Sequence, residues 1–451
     1  MKMECDVVIV GGGPAGCSAA CVLAEYGHKV IVLEKELFPR YHIGESMIPF
    51  TYPPLERIGF IPKLKRSHFT KKFSVQFVSP SGKVGQPFYF FNRYDRETIA
   101  QSWQVLRSEF DLMLRDHAIE RGVDFREKHK VISLIKDKEQ YKGVKVCDDS
   151  EQQFEIYAPI TIDATGRDAI AATSNVWRRR DPKLNKTAVW TYYQGSKRDQ
   201  GIDEGQTTVA FIENKGWFWH IPQHNNMVSV GIVADAKYLT RDGVKNPKDI
   251  FQREISNNQW IADRLSSGIC SEEYWLTNEY TFRSEYSAAD GLVLIGDAYG
   301  FLDPVFSSGL MLALKSGVAA ADAVHQSLLS KDYGAHQFNC YSANMKESIE
   351  NMRKLVYAFY DPQASFRMVT DKSPELAGEL TDCLSGDVNK DFTNLFSAFS
   401  EFTNVPEVLP YGMPKINFLD KNLEVTSDII NSYKTSTSHK KITKKEKTSH
   451  E

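Results

Sequence analysis

An α/β fold is predicted by three observations on the sequence. A β-branched run, "CDVVIVG" (5–11), leads straight into a glycine turn and a helix of small residues, "GGGPAGCSAACVLAEYG" (11–27). A second strand, "HKVIVLEKE" (28–36), follows at once and completes a β-α-β unit. Much later, "GLVLIGDAYGFLDPVFSSGLMLALKSG" (291–317) repeats the order of strand, glycine-containing loop and helix.

Each further element has its own signal. The first strand is a continuous apolar run, as a strand buried on both faces requires. Gly27 supplies the helix stop. "SVQFVSPSGKVGQPFYFF" (74–91) reads as strand, turn, strand. "RSEFDLMLRDHAIERGV" (107–123) reads as an amphipathic helix with Phe110, Leu114 and Ala118 on one side. Residues 126–165 alternate like strands and end in "APITIDATGR". Residues 185–290 are expected to be mostly strand, with a turn at "HNN", and 331–433 mainly helical with many aromatics. The expected architecture is a Rossmann-like domain in pieces (1–66, 99–183 and 287–330), an inserted mixed β-sheet domain (67–98 and 184–286), a helical C-terminal region (331–433) and a disordered basic tail (434–451).

Composition narrows the function. The chain has 451 residues, 42% hydrophobic and 25% charged, with a formal net charge of −3. That length allows two or three units and a buried cofactor. The balance argues against nucleic acid, which favours a basic surface. Only the segment Lys434–Glu451 is basic, with six lysines against two glutamates. No stretch reads as a membrane span or a secretory leader. Seven cysteines without a CxxC pair imply a reducing, cytoplasmic setting and no metal site. Cys17 and Cys21, one helical turn apart, suit helix packing.

The motifs carry the chemistry. Gly11, Gly13 and Gly16 have GxGxxG spacing, with Pro14 and Ala15 between. Such a turn lets a pyrophosphate approach the backbone and rest on a helix N-terminus. Glu34, at the end of the second strand, is placed to accept from ribose hydroxyls, with Lys35 beside it. The acid favours FAD or NAD over NADP. "TIDATGR" (161–167), containing Asp163, and "LIGDAYG" (294–300), containing Gly296 and Asp297, both end strands in small-residue turns. In this order they resemble the FAD-dependent enzymes of the glutathione-reductase and aromatic-hydroxylase class, in which the second aspartate binds the ribityl chain. Arg40, Glu45 and Ser46 in "FPRYHIGES", and Arg107 in "VLRSEFD", fall where that class contacts its cofactor, as do Gly309 and Leu310.

Three further matches point to one branch. Trp217, Trp219, Ile221 and Pro222 form WxWxIP in "GWFWHIP". Phe301, Pro304, Ser307 and Gly309 form FxxPxxSxG. Lys72 opens "KFSVQF". Together these resemble the flavin-dependent halogenases over residues 5–320. The resemblance implies that FAD, as FADH2, gives with oxygen a flavin hydroperoxide, and that halide attack on it yields hypohalous acid. A lysine then holds that acid by a hydrogen bond or forms a haloamine. Lys72 fits this role better than Lys71: strand alternation groups Lys72 with Thr70, Ser74 and Gln76, and Lys71 with apolar residues. The backbone N–H groups of Ser308 and Gly309, opening a helix, are the expected halide site. Trp217 and Trp219, held by the Ile221–Pro222 turn, are the expected wall between flavin and substrate.

Phe306 stands where tryptophan halogenases carry a glutamate. The change resembles the phenol- and pyrrole-type branch. The implied substrate is a small electron-rich aromatic, free or tethered to a carrier protein. Without a second nucleotide fingerprint, a separate flavin reductase is expected. A flavin-dependent monooxygenase or a geranylgeranyl-reductase-type oxidoreductase is the alternative, since neither needs Lys72 or the paired tryptophans.

Overall fold

The computed structural model describes residues 2–181, 183–213, 216–278 and 281–416. A six-stranded sheet runs in the order Ala288–Ala289, Leu292–Leu294, Ile160–Asp163, Val7–Val10, Val30–Leu33 and Asp124–Arg126. Its neighbours are parallel except the first pair. Numbered along the chain, the five parallel strands stand in the order 3-2-1-4-5. The order therefore reverses between Val7–Val10 and Ile160–Asp163, and a crevice opens at the carboxyl ends of strands flanking such a switch.

Helix Pro14–Glu25 follows the first strand and lies against helix Ser308–Ser330. Their approach is close because small residues meet: a Cβ on Gly317 would lie 2.1 Å from Ser18 Oγ and 2.4 Å from Ala15 O. Cys17 and Cys21 are fully buried in this helix, and all seven cysteines are unpaired. Gly27, with φ +82°, closes it. Helix Arg107–Glu120 buries Phe110, Leu114 and Ala118, as their spacing predicts.

The second large sheet is mixed and has eight strands. Its main path runs Ile269–Cys270, Lys186–Gln194, Met227–Asp235, Gly216–Pro222, Thr207–Ile212, Ser74–Val78 and Phe88–Tyr89. Trp275–Asn278 pairs off this path with Lys186–Gln194. Asn225 and Asn226 both take φ +55° in the turn between Gly216–Pro222 and Met227–Asp235. Asparagine tolerates that left-handed backbone better than most residues. One expectation needs correction: 185–290 is not mostly strand throughout. Helices Pro247–Ser256 and Gln259–Leu265 interrupt it and cover the sheet's outer face, where Phe251 packs on Phe218. Their start signals were legible, since Asn246 and Asn258 cap them and Pro247 takes the first turn.

The segments 1–66, 99–183 and 287–330 supply the six-stranded sheet, whereas 67–98 and 184–286 supply the eight-stranded one. A separate four-stranded sheet, Lys2–Glu4, Gln153–Tyr157, Gln140–Cys147 and Lys130–Asp137, packs on the six-stranded one, where Val144, Val146 and Ile156 share a buried cluster with Val8, Val10 and Ile31. Helices Asn339–Tyr360, Pro374–Ser385 and Thr393–Ser400 dominate the C-terminal region. The expected end of that region (417–433) and the basic tail (434–451) lie outside the described residues. Among the described residues no helix is long and apolar enough to cross a membrane.

Candidate active site

A cavity of about 940 Å3 opens at the switch point and extends beneath the mixed sheet. That is the size of a large ligand pocket. At one end its wall contains Gly11, Gly13, Pro14 and Ala15. Two glycines of the turn are sterically required. Gly11 has φ +106°, and a Cβ on it would lie 2.3 Å from Ala164 O; one on Gly16 would lie 2.0 Å from Gly11 O. Gly16 itself is behind the wall and lets the helix pack on the turn. Glu34 lines the cavity and also steadies this turn, since Gly12 N donates to its Oε2 (2.9 Å). Lys35 lines the cavity and pairs with Asp168 (2.6 Å) at the surface.

A buried ion cluster forms the adjoining wall. Arg107 donates to both oxygens of Asp111 (2.8 and 2.9 Å) and to the carbonyls of Ile43 (3.0 Å) and Gly44 (3.2 Å). Arg40 reaches Asp111 (3.2 Å) and Glu34 (3.6 Å). Burial pushes the Asp111 carboxyl up, but Arg107 and Arg40 outweigh it and hold it below the usual carboxylate range. Sequence reading missed Asp111, although Arg107 and Asp111 stand four apart on one helix, the spacing of an ion pair.

Across the crevice, Asp297 lines the cavity next to Gly296, whose φ of +57° shapes the turn. Gly296 is not itself a wall residue; its N–H donates to Ser316 Oγ (2.8 Å). The Asp297 carboxylate has no hydrogen-bond partner among the described residues, and burial pushes its pKa up to about 6 against the pull of Arg167 and Arg107. Asp163 is placed differently. Its carboxylate lies beneath the wall and accepts from Thr165 N and Oγ1 and from Ala171 N (3.1, 2.6 and 2.7 Å), which ties down the "DATGR" loop. Ser307, with φ +55°, precedes helix Ser308–Ser330. Ser307, Gly309 and Leu310 line the cavity, and Ser308 is buried behind them.

The aromatic wall follows from strand alternation. In Gly216–Pro222, Trp217, Trp219 and Ile221 face the cavity. Phe218 and His220 face the covering helices, against Phe251 and Trp260. Pro222 ends the strand and is not a wall residue. Trp219 occupies space that Gly231, directly opposite, leaves free: a Cβ there would lie 2.3 Å from the indole. Trp217 Nε1 donates to Tyr360 Oη (2.8 Å), and Tyr360 donates to Asp303 (2.8 Å). Asp303 caps the turn before Phe306, accepting from Val305 N (3.0 Å). The C-terminal helix thus ties the tryptophan strand to the "FLDPVFSSG" loop. Phe306 is buried against Phe359 and Phe366, with ring centroids 5.6 and 5.9 Å away.

Lys72 is 1% exposed, whereas Lys71 is exposed. The expected continuous strand breaks at Phe73: Thr70–Lys72 pairs with Ser102–Gln104, and Ser74–Val78 joins the mixed sheet. Ser46 bridges to Gln104 on the other side, so the Ser102–Gln104 strand brings Ser46 and Lys72 together. Lys72 Nζ donates to Ser46 Oγ and to Met47 O, both at 2.9 Å. Ser46 Oγ lies 2.9 Å from Thr207 Oγ1, to which Gln104 donates (2.8 Å). Burial lowers the Lys72 pKa to about 7, and no carboxylate among the described residues offsets it. Lys72 is not a wall residue; Ser46 and Thr207 are, and they separate it from the cavity. Glu45 lines the cavity as well, accepts from Tyr192 (2.7 Å), and keeps Oε2 buried without a hydrogen-bond partner among the described residues.

These residues fit a flavin dinucleotide. The glycine turn brings a helix N-terminus to the cavity wall, where a pyrophosphate can approach the backbone, and Asp297 on the opposite wall offers a carboxylate without a hydrogen-bond partner among the described residues. The comparisons with known proteins agree. The tryptophan halogenase family model matches residues 6–97 and 81–367. A pyrrole-2-carbonyl-[peptidyl-carrier protein] brominase of Pseudoalteromonas luteoviolacea is 30% identical over 73% of this chain and 79% of its own. The corresponding chlorinase of Pseudomonas fluorescens is 27% identical over 85% and 89%. The flavin-dependent halogenase armH3 of Armillaria mellea is 32% identical over 73% and 68%. Among solved structures, the flavin-dependent brominase Bmp2 superposes with a TM-score of 0.80 at 27% identity, over 88% of this chain and 98% of that one. With the family model spanning well over half of its length, the chain belongs to the tryptophan halogenase family, and it is an FAD-dependent oxidoreductase of the flavin-dependent halogenase type.

Proposed function

We propose that this chain halogenates an electron-rich aromatic ring of the pyrrole or phenol type through Lys72. The observation that carries this reading is a buried amine with a pKa lowered to about 7, one hydrogen bond behind the cavity wall. Near neutral pH that group is present both as ammonium, which donates to hypohalous acid, and as free amine, which accepts a halogen. Ser46 and Thr207 are its route to the cavity.

FAD, when bound and reduced, supplies the activation of oxygen that brings halide to the hypohalous level. The chain's own residues hold and divide the reactants. The Gly11–Gly16 turn receives the pyrophosphate, Glu34 the ribose and Asp297 the ribityl chain. Arg40 and Arg107, fixed by Asp111, shape the cofactor wall. Ser308 and Gly309 offer N–H groups to halide at the start of a 23-residue helix. Trp217 and Trp219 keep the aryl substrate from the flavin.

Phe306 is buried with Phe359 and Phe366 and is not a cavity-wall residue; a phenyl ring in place of a carboxylate at this position supports a neutral aryl group over a charged amino acid. The names of the pyrrole-carrier relatives support a carrier-borne substrate. Reducing equivalents come from a separate flavin reductase, and seven unpaired cysteines support a cytoplasmic setting. The test is reduced holoenzyme with oxygen, chloride or bromide, and a panel of free and carrier-borne pyrroles and phenols, read by mass spectrometry. A halogen-for-hydrogen mass shift that depends on halide is expected. Oxygen insertion without halide dependence overturns the reading.

A further inference from the structure

Three segments that carry active-site residues meet at one point away from the cavity. His68 precedes the strand of Lys72, Glu109 follows Arg107 on its helix, and His224 follows the tryptophan strand at the "HNN" turn. His68 Nε2 and His224 Nε2 each lie 3.2 Å from a carboxylate oxygen of Glu109. One nitrogen from each imidazole and one Glu109 oxygen all lie within 4.8 Å of one another. Around a tetrahedral ion with bonds of about 2.0–2.1 Å, neighbouring ligands stand about 3.3 Å apart.

His224 is 8% exposed and turns Nε2 to Glu109, so the burial of its ring fixes that nitrogen in the cluster. A separate cavity, lined by both histidines, adjoins the cluster and gives an entry path and room for a water in a fourth position.

We infer that His68, Glu109 and His224 form a binding site for one zinc-type divalent cation, with water as the remaining ligand. Two imidazoles and one carboxylate are borderline donors, suited to zinc and to its cobalt(II) substitute rather than to calcium or magnesium. The ion fastens the cofactor-side helix to the loop before Lys72 and to the end of the tryptophan strand, and it takes no part in the halogenation. The sequence expectation of no metal site came from local spacing, whereas these ligands stand 41 and 115 residues apart.

The test uses the full chain stripped with a chelator and titrated with zinc alone, then with cobalt(II). One equivalent should bind, with a rise in melting temperature and a visible cobalt absorption band. His68→Ala, at an exposed position that leaves folding intact, should weaken zinc by more than roughly a hundredfold, beyond the usual loss for an outer-shell partner. Glu109→Gln and His224→Ala should do the same, and His336→Ala should not. Zinc that binds the unaltered chain no better than the triple variant, or that binds His68→Ala undiminished, overturns the inference. Either result leaves the halogenase reading untouched, because the readouts are metal content and spectrum.

Discussion

The two ends of the main cavity are built by opposite means. The dinucleotide end uses main-chain groups and residues close in sequence: three glycines, one acid at a strand end, and a helix start. Its arginines are paired, as in the Arg40, Arg107 and Asp111 cluster. The lysine end gathers Ser46, Lys72, Gln104 and Thr207 from four distant segments, and Lys72 has no counter-ion among the described residues. Binding a large anion calls for fixed donors and open backbone. Poising an amine near neutral pH calls for burial without charge. One cavity thus holds a site made of geometry and a site made of environment.

The largest effect should come from Lys72→Ala. Halogenation should fall by roughly a hundred- to ten-thousandfold, the usual range for a lost acid–base group, while reduced flavin is still oxidised at its normal rate. Parallel slowing of both reactions in stopped flow would mean that the two ends are not separable. Trp217→Ala comes next. Loss of this buried ring should cost about 3–5 kcal/mol in denaturant unfolding and raise peroxide released per halogenated product. Stability loss with unchanged coupling would reduce the wall to core packing.

A pH series sharpens the contrast. Lys72 titrates at about 7 in the fold and near 10.5 when unfolded, so between these values the unfolded chain binds more protons and stability rises with pH. Lys72→Met removes the buried charge. Its advantage over the native chain should be on the order of a few kcal/mol below pH 7 and shrink steadily towards pH 10. A gap that is flat with pH would mean that the amine is not depressed. The smallest effect is expected at the geometric end. Gly16→Ala should lower stability by about 1–3 kcal/mol through overpacking against Gly11 and release FAD on gel filtration. It should leave the Lys72 titration unchanged.

This difference also explains what could be read beforehand. The glycine turn, Glu34, Asp297 and the WxWxIP spacing of "GWFWHIP" are local signals, and strand or turn geometry alone places them; the expected Ile221–Pro222 turn is instead part of the strand, paired with Ser229 and Val228. Lys72 was separable from Lys71 by alternation, yet its depressed pKa comes from burial among segments distant in sequence, such as the Ser102–Gln104 strand, which local sequence does not pair. Asp163 resembled a cofactor contact because its motif does, but its carboxylate serves the loop's own N–H groups. Tyr360 and Asp303 escaped notice for the same reason: a hydrogen bond across 57 residues leaves no trace in a motif. The helices within 185–290 were legible from their asparagine caps, but the surrounding β-branched runs outweighed them.

The pairing of Trp219 with Gly231 has a practical consequence. The position of the indole is set from behind, by an absent side chain on the neighbouring strand. The width of the cavity beside Trp219 can therefore be tuned by editing the backing, with every wall residue left as it stands.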